Sequence, residues 1–168
     1  MDKIRRILAP TDLSEPSQAG VRYALILAKA LGAEVTAYHV VNHGEFMPYG
    51  EASAKGVISH LTLRQADRLR KSQQLALARF LNEHFSDLVP WVRVREKVEL
   101  GLPDKNIVEW ATKEGTDLIV ISIHGRVDLS HPSVGHVADQ IVRNAPCPVL
   151  SVHSKLGDKA CQKAAAVA

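Results

Sequence analysis

Seven residues in the second half of the chain, Asp117-Leu118-Ile119-Val120-Ile121-Ser122-Ile123, constrain the fold more than any other stretch. A strand with one wet face alternates polar and apolar residues, whereas this near-continuous apolar run fits a central parallel strand buried on both faces. Helices must then cover both sides of its sheet. A polar loop follows, carrying Gly125 and, ten positions on, Gly135. Behind it comes a helix in which Val134, Val137, Ala138, Ile141 and Val142 recur at helical spacing. A glycine-bearing loop between a strand end and a helix start suits an anion. Glycines let backbone N–H groups approach closely, and the first N–H groups of the helix point outward with a partial positive charge.

The rest of the chain repeats the alternation of strand and helix. Ile4 to Ala9 reads as a short first strand ended by Pro10, and Thr11 to Pro16 as a loop in which Ser14 caps the next helix. Val21, Ala24, Leu25, Ala28 and Leu31 then recur at three and four, and Gly32 closes that helix. Glu34 to Val41 is a second strand. Asn42 to Gly56 holds three glycines and a proline without apolar period, so it reads as a long loop. Val57 to Phe85 predicts a long amphipathic helix, with Ala66, Leu69, Ala76 and Phe80 on one face and arginines on another. Val92, Val94, Val98 and Leu100 alternate with Arg93, Arg95, Lys97 and Glu99, the pattern of an edge strand with one wet face. A short helix with Ile107, Val108 and Ala111 leads through Gly115 to the buried strand, and Pro148 to His153 is the last strand.

Parallel neighbours need a crossover helix each, so the fold class is α/β. The expectation is a single doubly wound domain over residues 1–153, a five-stranded parallel sheet with helices on both faces, Rossmann-like, followed by a flexible tail over 154–168. A length of 168 residues suits one such core and not two. Ligands of these sheets bind at the carboxyl ends of the strands, where strand order reverses. The loops after strands one and four meet there, which puts Asp12 and Gly125 on one crevice.

Charge narrows the partners. The net charge is only +3, and the basic residues are spread over Arg5, Arg6, Arg64, Arg68, Arg70, Lys71 and the tail without interleaved aromatics. That is the composition of solvated helix faces and argues against nucleic acid as a partner. No apolar run reaches the length of a signal peptide core or a membrane span, so no membrane association and a cytoplasmic location are expected. Cys147, between two prolines, and Cys161 form neither a redox motif nor a metal pair, and Cys147 reads as a small buried hydrophobe. His124, His131 and His136 share one loop, but without cysteine or compact ligand spacing they are not read as a metal site. No G-x-S-x-G elbow, G-x-x-x-x-G-K-[ST] loop or G-x-G-x-x-G fingerprint occurs.

The stretch around Gly125 and Gly135 resembles the signature of the universal stress protein family. That signature is a glycine, two residues, a second glycine, nine residues, then glycine followed by serine or threonine. Gly125 and Gly135 fall on the second and third glycines, Ser122 on the first and His136 on the final hydroxyl position. RNAPCPVLSVH from Arg143 is similar to the family's last helix turn and final strand, and ILAPTDLSEPS from Ile7 to its first strand and loop. The likeness runs from about Lys3 to His153 in one order of elements. It implies a dimeric stress-response protein that binds ATP or AMP, with Mg2+ accompanying ATP, and that signals through occupancy of the site.

On this resemblance the nucleotide site comprises Pro10, Thr11, Asp12, Val40, Ser122, Gly125, Arg126, Gly135, His136 and Val137. Asp12 is the acceptor for ribose hydroxyls, and Val40 meets the adenine through its backbone. A binding protein is expected rather than a dedicated enzyme, with slow ATP hydrolysis at most. Two alternatives stay open: an interaction module of the same fold without nucleotide, with an unidentified protein partner, and a weak nucleotide hydrolase. The resemblance also implies a homodimer through the last strand, Pro148 to His153, whose apolar edge carries no charge to blunt it. On that reading Val152→Lys weakens the pair.

His136 is the main departure. It keeps the backbone N–H of the family's hydroxyl residue and adds bulk, so it either covers the phosphate site or, protonated, makes a charge-assisted bond to phosphate. In the second case binding and protonation are linked, and ATP affinity rises as pH falls from about 8 to 6. Calorimetric titrations at both pH values check this. Equal affinities exclude the charged ring, and binding regained only in His136→Ser identifies the histidine as a plug.

Overall fold

The computed structural model describes residues 3–42, 63–123 and 136–153, with backbone alone for Leu63 and His136. Five strands form one parallel sheet: β1 Arg6–Pro10, β2 Glu34–Asn42, β3 Arg93–Gly101, β4 Leu118–Ile123 and β5 Val149–His153. The helices between them are α1 Gln18–Leu31, α2 Leu63–Phe85, α3 Pro103–Glu114 and α4 His136–Asn144. The strand order is β3-β2-β1-β4-β5. From β1 the chain steps outward twice, returns to the other side of β1, and steps outward once more. Strand order therefore reverses at the seam between β1 and β4.

Right-handed crossovers with this order put α1 and α2 on one face and α3 and α4 on the other. The core divides accordingly. Val21, Ala24, Leu25 and Ala28 of α1 pack with Leu77, Phe80, Leu81 and Phe85 of α2 against Val35, Ala37 and Val120. Ile107, Trp110 and Ala111 of α3 pack with Ile141 of α4 against Leu8, Tyr38, Ile119 and Ile121. Successive residues of β2 and β4 thus enter opposite cores, which is why both strands are apolar almost throughout. Tyr38 is fully buried on the α3 side, stacked on Trp110 and donating its hydroxyl to Glu99 Oε2 at 2.6 Å.

The expected five-stranded doubly wound sheet is present, with several local differences. β1, not β4, is the middle strand. β1 includes Pro10, which pairs in register with Tyr38, rather than ending before it. The geometry explains the proline. Thr11 N–H donates to Tyr38 O of β2, so the preceding residue faces β4, and β1–β4 pairing has already ended at Leu8 and Ile119. A residue without an N–H loses nothing there. Leu31 and Val142, read as members of apolar faces, are 37% and 54% exposed, because each lies beside its helix's buried stripe rather than in it. Cys147 is half-buried against the α4 core, and burial raises the pKa of its thiol. The predicted helix from Val57 is described from Leu63 onward, and the proposed tail lies outside the described residues.

Gly32 and Gly115 close α1 and α3 in the left-handed conformation, with φ of 65° and 58°. Gly20 has a different reason to be glycine. A Cβ there would stand 2.8 Å from Ser122 N and 3.1 Å from Ile121 C, both backbone atoms of β4. Helix propensity favours Gly20→Ala by about 1 kcal/mol. Forcing α1 away from β4 costs about 1–3 kcal/mol. The sign is therefore expected to be destabilising, and urea unfolding of the variant measures it; a stabilised variant would show that α1 does not sit this close to β4.

Candidate functional site

The β1–β4 seam is closed at its base and parted at its top. At the base, the backbone N–H groups of Arg5 and Arg6 both donate to Asp117 Oδ2 at 2.8 Å. The Arg5 N–H, outweighing desolvation with help from Arg6, holds that carboxyl below its ordinary pKa. Above Leu8 and Ile119 the two strands no longer pair. β1 nevertheless stays on β2 as far as Pro10, and β4 stays on β5 as far as Ile123. The carboxyl ends of β1 and β4 therefore flank a crevice at the point where strand order reverses, the usual place for a ligand in such sheets.

Thr11 to Ser17 forms the β1 side. Thr11 is buried, and its Oγ1 accepts the N–H of Leu13 at 3.0 Å. Leu13 has φ 65°, a left-handed conformation that costs a leucine roughly 1–2 kcal/mol. That bond and the packing of Leu13 against the α1–α2 core hold it there. The consequence is a turn that sets Asp12 outward. Asp12 is exposed, and its Oδ1 accepts both the N–H of Ser14 at 3.0 Å and the Ser14 hydroxyl at 2.5 Å. Partial desolvation works to raise the Asp12 pKa, but the two donors of Ser14, with help from the Ser17 side chain and the Asp12 N–H, outweigh it and the carboxyl titrates below its ordinary value. An ionised carboxylate has about four acceptor positions, so the two bonds from Ser14 leave capacity for an incoming donor.

Ser14, expected to cap the helix, does not do so with its side chain. It stands before the short 3-10 helix Glu15–Ser17 without a capping hydrogen bond, because its hydroxyl is spent on Asp12. Ser17 takes over the connection. Its hydroxyl donates to Ser14 O at 2.8 Å and therefore accepts the Thr11 hydroxyl at 2.7 Å. On the far side of the seam, Ser122 Oγ accepts the N–H of Gly20 at 2.6 Å and donates to Ser17 O at 3.1 Å.

His39, at the end of β2, is buried, and its Nδ1 donates to Thr11 O at 2.9 Å. A carbonyl only accepts, so Nδ1 carries the hydrogen. Val40 is 8% exposed with its side chain in the α3–α4 core, which leaves its backbone as the part able to meet a ligand.

Of the residues singled out in the sequence, the structure gathers Pro10, Thr11, Asp12 and Ser122 at this end of the seam, with Val40 one strand away. Val137 lies in the first turn of α4, half-buried against the core. Gly125, Arg126 and Gly135 lie outside the described residues, as do His124 and His131, and His136 is described only as the first residue of α4. Sequence reasoning missed Ser17, Gly20 and His39. Two left a trace: an isolated glycine near the start of an apolar helix pattern, and a lone histidine in the run Glu34 to Val41. Among the described residues no group of three or more His, Cys, Asp or Glu side chains is placed to hold a metal ion. No described helix is long and apolar enough to cross a membrane.

The Universal stress protein family model matches residues 3–153. Universal stress protein MJ0531 from Methanocaldococcus jannaschii is 32% identical over 149 residues, covering 88% of this chain and 81% of that protein. The solved structure of MJ0577, from the same organism, is similar with a TM-score of 0.64 at 24% identity, over 90% of this chain and 97% of that one. A universal stress protein solved in complex with cAMP gives a TM-score of 0.63 at 20% identity, over 91% and 99%. These two structures establish the shared fold. With the family match running from before β1 to the last residue of β5, the chain belongs to the universal stress protein family.

Proposed function

We propose that this chain binds an adenine nucleotide, ATP or AMP, in the crevice above the β1–β4 seam, and that occupancy of the site is its signal. The observation that carries this reading is Asp12. It is exposed, ionised and held by Ser14 at the carboxyl end of the middle strand, where strand order reverses. Such a carboxylate accepts the vicinal hydroxyls of a ribose with little reorganisation. The similar protein solved with cAMP supports the same ligand class.

The fit extends to Ser122. A side chain in place of the signature's first glycine would obstruct a ligand if it pointed into the crevice. Here its hydroxyl is tied to Gly20 and Ser17 of the α1 side. The phosphates fall to Gly125, Arg126, Gly135 and the N–H groups opening α4, and Mg2+ accompanies ATP. The adenine falls to the backbone of Val40.

Mass spectrometry of denatured purified protein is expected to reveal co-purified adenine nucleotide, and calorimetry to register ATP or AMP binding. Hydrogen bonds to a charged group contribute about 1.5–3 kcal/mol, so Asp12→Ala should weaken binding by about tenfold or more. An unchanged affinity would remove Asp12 from the site. Absence of both co-purified and titrated nucleotide would sink the reading and leave an interaction module of the same fold.

The same reading includes a homodimer through β5, the sheet's outer strand beyond β4. Leu150 on this strand is 38% exposed, whereas Val152 is 4% exposed and packs in the α1–α2 core of its own chain. Val152→Lys therefore disturbs folding and is not the variant that tests pairing. Leu150→Lys is. Light scattering at micromolar concentration should give a dimer for the wild type and a smaller mass for Leu150→Lys; a monomeric wild type would end the proposal.

A further inference from the structure

We infer that Ser122 is a positioning residue of this crevice, one that fixes the place of the Asp12 carboxylate through Ser17 and Ser14. The inference rests on the nucleotide reading given above and adds a residue that determines its geometry. Beyond Leu8 and Ile119 no ladder of hydrogen bonds relates the end of β1 to the end of β4. A ligand that spans from Asp12 to the end of β4 nevertheless needs both at a fixed separation.

Three serines in series supply that relation. Ser122 donates its hydroxyl to Ser17 O at 3.1 Å. Ser17 donates its hydroxyl at 2.8 Å and its N–H at 3.1 Å to Ser14 O. Ser14 donates its hydroxyl and N–H to Asp12 Oδ1, at 2.5 Å and 3.0 Å. Every step runs in one direction, from β4 toward the carboxylate.

Two further donors lock the series from the side. The Gly20 N–H enters at Ser122 Oγ at 2.6 Å, and the Thr11 hydroxyl enters at Ser17 Oγ at 2.7 Å. Each hydroxyl of Thr11, Ser17 and Ser122 therefore both donates and accepts, which leaves little freedom to rotate. Glycine at position 122 would remove the bonds to Gly20 and Ser17 together. Gly20 is the complement of the serine, since a Cβ on it would stand 2.9 Å from Ser122 Oγ.

The test has a ligand-free arm and a ligand arm. In the first, NMR follows the Asp12 carboxyl carbon through a pH titration. Ser122→Ala, which cuts the series at its first step, should move the Asp12 midpoint upward, while Ser122→Thr, which keeps the hydroxyl, should return it toward the wild-type value. An unchanged midpoint in Ser122→Ala would overturn the inference. In the second arm, calorimetry with AMP should give about tenfold weaker binding for Ser122→Ala in the wild-type background and no further loss in the Asp12→Asn background. Equal losses in the two backgrounds would show that Ser122 does not act through Asp12. A wild-type chain that binds no nucleotide would overturn the functional reading alone, because the ligand-free arm still decides whether Ser122 positions Asp12.

Discussion

The contact between β1 and β4 governs this molecule. Two parallel strands far apart in sequence are brought together at the centre of the sheet, pinned at the base by Asp117 and released above Leu8 and Ile119. Because each strand keeps its outer partner to its end, the parting does not loosen the sheet. It leaves the two carboxyl ends flanking the point where strand order reverses. The hydroxyls gathered there bond the backbone of the turn and of the start of α1, at Leu13, Ser14, Ser17 and Gly20.

The cost of that arrangement is visible in residues that break local preference. Leu13 adopts a left-handed conformation that leucine disfavours, and Gly20 occupies a helix position where alanine would suit the helix better. Both follow from one requirement, that the start of α1 lie hard against β4 while the turn before it presents Asp12. Local departures of this kind persist only where surrounding contacts over-determine them, and such places are commonly binding sites. The hydroxyls of Thr11, Ser17 and Ser122 provide the determination. They are neutral and mutually satisfied, so they set geometry without placing a buried charge at this end of the seam.

Membership of the universal stress protein family gives the fold its relatives without fixing what this chain binds, because a shared sheet carries many different sites. Ser122 stands on the first glycine of the signature that the sequence resembles. In the structure it is a structural link between α1 and β4.

The sequence by itself determined the alternation of strands and helices, the parallel sheet, the edge position of β3 and the placing of Asp12 after the first strand. Each of these follows from periodicity, or from a turn residue that acts on its immediate neighbours. The middle position of β1, the inclusion of Pro10 in it, the exposure of Leu31 and Val142, and the burial of Val152 were decided only in the tertiary structure. So were the parts played by Ser17, Gly20, His39 and Ser122. The reason is distance along the chain. Ser122 meets Ser17 and Gly20 across more than a hundred residues, and His39 meets Thr11 across 28, so no local pattern records these contacts. A hydroxyl or a missing Cβ becomes part of a site only when a remote backbone arrives within hydrogen-bond range, and the arrival of α1 on the end of β4 is a property of the packed sheet.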